Sequence, residues 1–235
     1  MHSGPELSIV MPVYNEAAAL ATVLPAWTEE LARLGIDYEL LVYDDGSADG
    51  SDRVALPFAE RRVVVRRHPN RGHGPTIMRG YHEATGDWVF QVDSDGEISP
   101  AHFHKLWSRR ADYDVLLGCR KDRQSPVARR IVTWVARLAV GILFGRMLAD
   151  VNTPYRLMRR KALQAILAHI PSDTFAPNVA ISGLAARDDL RIHQEWVPHS
   201  GRVGGRASLV RWPLVKGAAR AFVQTIAIAL RGRFR

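Results

Sequence analysis

With 235 residues, 47% of them hydrophobic and 24% charged, the chain is long enough for one α/β domain with a full core and too apolar for intrinsic disorder. A single cysteine, Cys119, excludes an intramolecular disulfide and a thiolate metal cage, and the absence of a secretory pattern at the start makes the cytoplasm the expected compartment. The net charge of +8 is unevenly spread: residues 1–119 hold 11 Lys+Arg against 18 Asp+Glu, and residues 120–235 hold 21 against 6, so a net −7 precedes a net +15. That polarity suits a protein that grips a metal with its first part and phosphates or an anionic surface with its second. No helix-turn-helix, zinc-finger or RNA-binding aromatic signature is present, so nucleic acid is not an expected partner.

In chain order, Leu7–Met11 is an apolar run closed by Pro12, and Tyr38–Tyr43 is a second one closed by Asp44-Asp45-Gly46-Ser47. Both read as buried strands. Between them Leu20, Val23, Leu24, Trp27 and Leu31 recur at helical spacing over Glu16–Leu34, with Gly35 as the stop, which completes a βαβ unit. Arg62–Arg66 predicts a third strand, Thr76–Thr85 a helix ended by Gly86, Asp87–Val92 a fourth strand and Val115–Gly118 a fifth. Strands alternating with helices imply an α/β fold with a mainly parallel sheet, whose ligands lie beyond the carboxyl ends of the strands. Those ends carry Tyr14-Asn15-Glu16, Asp44-Asp45 and Asp93-Ser94-Asp95, so the polar clusters converge on one rim.

After residue 120 the alternation is expected to give way to Arg-rich amphipathic helices joined by irregular stretches. Val127–Arg146 places Ile131, Val135, Leu138 and Ile142 on one stripe, and Arg137 interrupts the span, against a bilayer crossing. Ala221–Leu230 is apolar, too short to span, and flanked by Lys216, Arg220, Arg231, Arg233 and Arg235. It suits either a helix lying on a membrane surface or a terminal helix packed on the domain.

Three segments carry candidate chemistry. Asp93, Asp95 and Glu97 alternate beyond a strand end, which in an extended segment puts three hard oxygen ligands for Mg²⁺ or Mn²⁺ on one side. A solvated turn or helix cap has the same composition. Asp44 and Asp45 are suited to accept from a base N–H or a ribose hydroxyl, though Asp and Gly are also the residues of an ordinary turn and Ser47 an ordinary cap. Asn70-Arg71-Gly72-His73-Gly74-Pro75 is a glycine-bearing loop that could rest an anion on the next helix or simply turn tightly, and His68 and His73 read as loop histidines.

Taken together, Pro12-Val13-Tyr14-Asn15-Glu16, Asp44-Asp45-Gly46-Ser47, Asn70-x-Gly72-x-Gly74, Gly86-Asp87 and Asp93-x-Asp95 resemble the family-2 glycosyltransferases of GT-A type over nearly the whole chain. The resemblance implies a nucleotide-sugar-binding α/β domain in which Pro12, Tyr14, Glu16, Asp44, Asp45, Asp93 and Ser94 hold the nucleotide, and Asp93, Asp95 and Glu97 the metal. The later half looks like the polyprenyl-phosphate, dolichyl-phosphate-type branch, through Gly118-Cys119-Arg120, Asp150–Leu157 and Arg202-x-x-Gly205-x-x-Ser208. Pro154 stands in place of that branch's glycine, Pro75 in place of a small residue and Glu97 where Gln is frequent, and Gly205 to Ser208 is one residue longer unless Gly204 takes the glycine's place.

The likeness implies inverting transfer of a sugar from a nucleotide diphosphate sugar to a polyprenyl phosphate by a protein peripheral to the inner membrane face. Two anions must then meet, which calls for a metal and arginines. Arg120 and Arg202 are the foremost candidates for a catalytic role with Asp150 as orienter or base, and Arg129, Arg130, Arg156, Arg202 and Ser208 are the candidates for acceptor binding. Residues 1–119 are expected to form the nucleotide-sugar and metal half of a domain over 1–210, residues 120–210 its acceptor half, and 211–235 a basic amphipathic segment. The rival readings are a soluble hydroxyl acceptor, for which Asp150 must be a true base, a nucleotidyltransferase, which lacks its glycine- and basic-rich opening here, and a non-enzymatic basic membrane-surface module.

Overall fold

The computed structural model describes residues 4–121, 127–199 and 212–231. Seven strands, β1 (Leu7–Val13), β2 (Tyr38–Asp44), β3 (Val63–Arg67), β4 (Trp88–Gln91), β5 (Val115–Lys121), β6 (Arg156–Arg159) and β7 (Ile192–Pro198), form one sheet in the order β3-β2-β1-β4-β6-β5-β7. Every neighbouring pair is parallel except β4 with β6 and β5 with β6. The eight α-helices among the described residues are α1 (Ala17–Arg33), α2 (Ser51–Ala55), α3 (His73–Glu83), α4 (Phe103–Trp107), α5 (Val127–Phe144), α6 (Arg160–Leu167), α7 (Pro177–Arg187) and α8 (Trp212–Arg231).

Alternation along the strands gives the sheet two buried faces. Leu7, Ile9 and Met11 of β1 point to the layer of α1 and α4, whereas Val10 points to the layer of α3, α5, α6, α7 and α8. On the first face Trp27 of α1 lies 5.4 Å from Phe90 of β4, which meets Phe103 and Tyr155 at 4.8 Å in edge-on geometry. On the second, α3 lies so close to β1 that a Cβ on Gly80 would come within 2.3 Å of Val10 Cγ1. Gly86 is held in the same way, its N–H donating to Ser8 Oγ at 2.7 Å where β4 begins. Pro12 is tolerated in an interior strand because β1's ladder with β4 ends at Val10, so the missing N–H falls where that partner has stopped.

The mainly parallel α/β sheet is as the sequence led one to expect, with β5 three residues longer. The stretch after residue 120 is not: it contains β6 and β7. β6 is only four residues, and β7, Ile192-His-Gln-Glu-Trp-Val-Pro, has a polar middle, so neither shows an apolar run. The antiparallel entry of β6 matters for the site. Because it runs against its neighbours, its beginning, not its end, lies on the rim where β1, β2, β4, β5 and β7 finish. Truncating Trp27 to Ala removes the hub of the aromatic cluster and is expected to cost about 3–5 kcal/mol of stability, read as a fall in urea midpoint at unchanged slope.

Candidate active site at the carboxyl rim of the sheet

Two turns at the ends of β1 and β2 lock onto each other. The Asn15 N–H donates to Ser47 Oγ (2.9 Å), the Ala48 N–H to Asn15 Oδ1 (2.8 Å), the Glu16 N–H to Ser51 Oγ (3.0 Å) and the Ala17 N–H to Asp49 Oδ2 (2.9 Å). Asn15 adopts a left-handed conformation (φ 54°), for which Asn is among the better-suited residues. The result leaves Tyr14 about half exposed on the rim and Glu16 buried beneath it.

Asp45 is buried and accepts from the Arg71 N–H (2.7 Å) and the Gly72 N–H (2.9 Å), one on each oxygen, with His68 Nδ1 at 3.4 Å. It therefore clamps the glycine loop. That loop turns into α3 three residues earlier than the sequence suggested, and a Cβ on Gly74 would collide with the Thr174 carbonyl at 2.2 Å. Asp44 accepts from the Ser47 N–H through Oδ1 (2.8 Å), while its buried Oδ2 has no hydrogen-bond partner among the described residues and only Arg67 Nε at 3.8 Å.

Beyond β4 the chain does not stay extended. Asp95 Oδ1 accepts from the Glu97 N–H at 3.1 Å and Gly96 has φ 71°, so residues 93–97 form a turn rather than the alternating row that would align three carboxylates. Glu97 instead meets His199 Nε2 at 2.8 Å, Asp93 Oδ1 has His73 Nε2 at 3.6 Å, and Ser94 and Asp95 are nearly buried. Among the described residues no three His, Cys, Asp or Glu side chains gather into a group that would hold a metal by themselves. The donor set of the turn, hard carboxylate oxygens with an imidazole beside them, fits the chemistry of a hard divalent cation such as Mg²⁺ or Mn²⁺.

From the other half, β5 delivers Arg120 and the approach to β6 delivers Asp150. They form a bidentate pair, Arg120 Nε to Asp150 Oδ2 at 2.7 Å and Nη2 to Oδ1 at 3.0 Å, with both side chains nearly buried. Burial pulls the Arg120 pKa down, but the Asp150 hydrogen bonds and charge, reinforced by Asp93 and Glu97, leave it raised, so the guanidinium stays charged and feels the acidic turn. Arg156 is corrected as an acceptor ligand. It is fully buried, and its N–H groups donate to the carbonyls of Val151, Thr153 and Asn178, which ties the segment before β6 onto α7 and leaves no face for an acceptor. Desolvation lowers its pKa.

Arg129 and Arg130 belong to α5, but their side chains lie outside the described residues, as do Arg202, Gly204, Gly205 and Ser208 altogether. The structural roles of Asp49, Ser51, Gln91 and Asn178 were not read from the sequence, because isolated polar residues carry no motif until the turns are folded together.

This geometry can now be set beside known proteins. Residues 8–173 match the profile described as Glycosyl transferase family 2. The chain belongs to glycosyl transferase family 2. Within that family it is 31% identical over 180 residues to an undecaprenyl-phosphate 4-deoxy-4-formamido-L-arabinose transferase of Klebsiella pneumoniae subsp. pneumoniae, covering 74% of this chain and 55% of that one. The protein of the same name from Pseudomonas aeruginosa is 34% identical over 179 residues, covering 74% and 53%. The chain thus spans about half the length of these curated relatives. Among solved structures it is similar to mannosyl-3-phosphoglycerate synthase from Rubrobacter xylanophilus, with a TM-score of 0.69 at 16% identity over 99% of this chain and 76% of that one. It is also similar to glucosyl-3-phosphoglycerate synthase from Mycobacterium tuberculosis in complex with Mn²⁺, UDP and phosphoglyceric acid, with a TM-score of 0.66 at 21% identity over 97% and 78%. These likenesses show the GT-A fold of the family.

Removing one member of the buried Arg120–Asp150 pair strands the other. Arg120→Ala is expected to cost about 3–5 kcal/mol in chemical denaturation, and the double replacement Arg120→Met with Asp150→Leu to recover most of that loss.

Proposed function

We propose that this chain transfers a sugar from a nucleotide diphosphate donor to a polyprenyl phosphate at a membrane surface. The observation that carries the choice of acceptor is the Arg120–Asp150 pair. A hydroxyl acceptor must lose a proton to a base as it attacks, and the carboxylate best placed for that, Asp150, already accepts N–H bonds on both oxygens. A phosphate monoester needs no such base, being anionic near neutral pH. It needs a cation to approach, and Arg120, held charged, supplies one. The naming of the relatives as undecaprenyl-phosphate sugar transferases supports the same reading.

In this reading residues 1–119 hold the donor, with the base and ribose against Tyr14 and Asp44, whose Oδ2, without a hydrogen-bond partner among the described residues, is an acceptor suited to a polar group of the nucleotide. Asp45 acts by holding the glycine loop, and Glu16 by setting the β1 turn. Asp93 and Asp95, with Glu97, would hold Mg²⁺ or Mn²⁺, as the Mn²⁺ and UDP bound by a neighbour of the same fold suggest. A divalent ion bound there neutralises the diphosphate and stabilises it as it leaves. Residues 120–210 present the acceptor, with Arg120 and Arg202 at its phosphate and Arg129, Arg130 and Ser208 along its approach. One acceptor phosphate oxygen forms a bond to the anomeric carbon as that carbon's bond to the donor diphosphate breaks, a single displacement that inverts the centre.

Membrane association is supported by α5 and α8. Among the described residues no helix is long and apolar enough to cross a membrane. Yet the apolar stripe of α5 points outward, with Trp134 61% and Ile142 69% exposed beside Val135 and Leu138, while Val140 and Phe144 face the core. Adjacent α8 buries Thr225, Ile228 and Ala229 and exposes Phe222, Val223 and Leu230, with Lys216, Arg220 and Arg231 around them. α8 is therefore both packed on the domain and apolar outside. An apolar face with a basic border suits an anionic bilayer surface.

Two outcomes follow. Asp95→Asn is expected to reduce turnover by about a hundredfold or more, and EDTA to abolish it in the unaltered protein; full activity in EDTA contradicts the metal reading. Trp134→Asp with Ile142→Asp is expected to lower sedimentation with anionic vesicles at low salt by at least about tenfold, since two large apolar side chains no longer enter the interface. Unchanged sedimentation would remove α5 from the contact.

A further inference from the structure

Below the acidic turn lies a buried row of polar side chains with no family motif attached to it. Tyr81 of α3 donates its hydroxyl hydrogen to Asn178 Oδ1 of α7 (3.1 Å), Asn178 Nδ2 donates to Gln91 Oε1 at the end of β4 (2.9 Å), and Gln91 Nε2 donates to Asp93 Oδ1 (3.0 Å). Tyr81 and Gln91 are fully buried and Asn178 almost so. The direction of the row is fixed from its charged end. A carboxylate only accepts, so Gln91 must turn its amide nitrogen towards Asp93. Its oxygen then faces Asn178, which must donate, and the oxygen of Asn178 is left for the phenol. Reversing either amide would oppose two oxygens in a low-dielectric interior.

The row is also tied to the other half of the site. Arg156, the cross-strand partner of Gln91, donates to the Asn178 carbonyl (3.1 Å) and to the carbonyls of Val151 and Thr153 in the segment that carries Asp150. A solvated Asp at a strand end would sample several rotamers. Here one oxygen of Asp93 is held from below by an amide that two further side chains, Asn178 and Tyr81, orient.

We propose that Gln91 and Asn178 are positioning residues for the donor site: they hold the Asp93 carboxylate in the one orientation that receives the nucleotide diphosphate and its metal. The proposal rests on the donor-binding reading given above and adds to it residues that touch neither substrate nor ion. Partners of this kind to a ligating group typically contribute ten- to hundredfold in metal affinity.

The test is calorimetric binding of nucleotide diphosphates, UDP first, with and without Mn²⁺, to the unaltered chain and to Gln91→Met, Asn178→Leu and Tyr81→Phe, with thermal midpoints measured in parallel. Ser182→Ala is the control for plain structural loss. Ser182 is equally buried and bonds Val151 and Arg156, but lies off the row to Asp93. Gln91→Met and Asn178→Leu are expected to weaken Mn²⁺-dependent binding by about tenfold or more. Tyr81→Phe, which removes a single oxygen and keeps the ring, should weaken it less and in the same direction, and keeps the test readable if the other two fold poorly. Ser182→Ala should bind within about twofold of the unaltered chain even where its midpoint falls as far. Binding that tracks the thermal midpoint across all four variants, or stays unchanged in Gln91→Met and Asn178→Leu, overturns the positioning role alone. Absence of Mn²⁺-dependent binding in the unaltered chain to any nucleotide diphosphate overturns the donor reading, and this inference with it.

Discussion

The rim of this sheet crowds Asp44, Asp45, Asp93, Asp95, Glu97 and Asp150 into one edge, and most of the local structure can be understood as the means of keeping those carboxylates apart and oriented. Their partners differ. Asp45 takes two backbone N–H groups from the glycine loop, Asp93 an amide from Gln91, Glu97 the imidazole of His199 and Asp150 the Nε and Nη2 groups of Arg120. Arg156, buried without a carboxylate bonded to it, adds a fixed positive charge just under the same edge. In the proposed function such a rim receives a cation and a diphosphate, which would add to the charge balance begun by these contacts.

The topology explains why residues from separate strands meet there. In a wholly parallel sheet the chain reaches the rim only as strands end. Because β6 enters antiparallel, the segment that precedes it also arrives at the rim, and Asp150 comes within reach of Arg120 at the end of β5. The acidic first half and the basic second half are thereby joined across one edge, while the outward faces of α5 and α8 leave the basic half with an apolar surface of its own.

Much of this was legible in the sequence. Apolar runs gave β1, β2 and β4, though β1 continues through Pro12 to Val13, and the order of the motifs gave the family. What was not legible depended on contacts between distant segments. The return of β6 has only four residues, two of them arginines, and no local pattern marks it. Asp93, Asp95 and Glu97 looked aligned because alternation was carried past the strand, whereas Gly96 and the Asp95–Glu97 hydrogen bond bend the chain. Arg156 looked like a ligand because it lies in the Asp150–Leu157 segment and an anionic acceptor calls for arginines, whereas in the structure it is buried and bonded to the carbonyls of Val151, Thr153 and Asn178. The stripe on α5 was found correctly as a stripe, but its spacing could not say which way it faced.

The most direct measurement of the central claim is transfer of labelled sugar from a panel of nucleotide diphosphate sugars, in the presence of Mn²⁺ or Mg²⁺, to a short-chain polyprenyl phosphate and, in parallel, to the matching polyprenol. The account predicts label in the lipid phase with the phosphate and none with the alcohol, because Arg120 meets an anion and Asp150 is not free to act as a base. Transfer to the alcohol or to a soluble hydroxyl acceptor, with none to the phosphate, would contradict it.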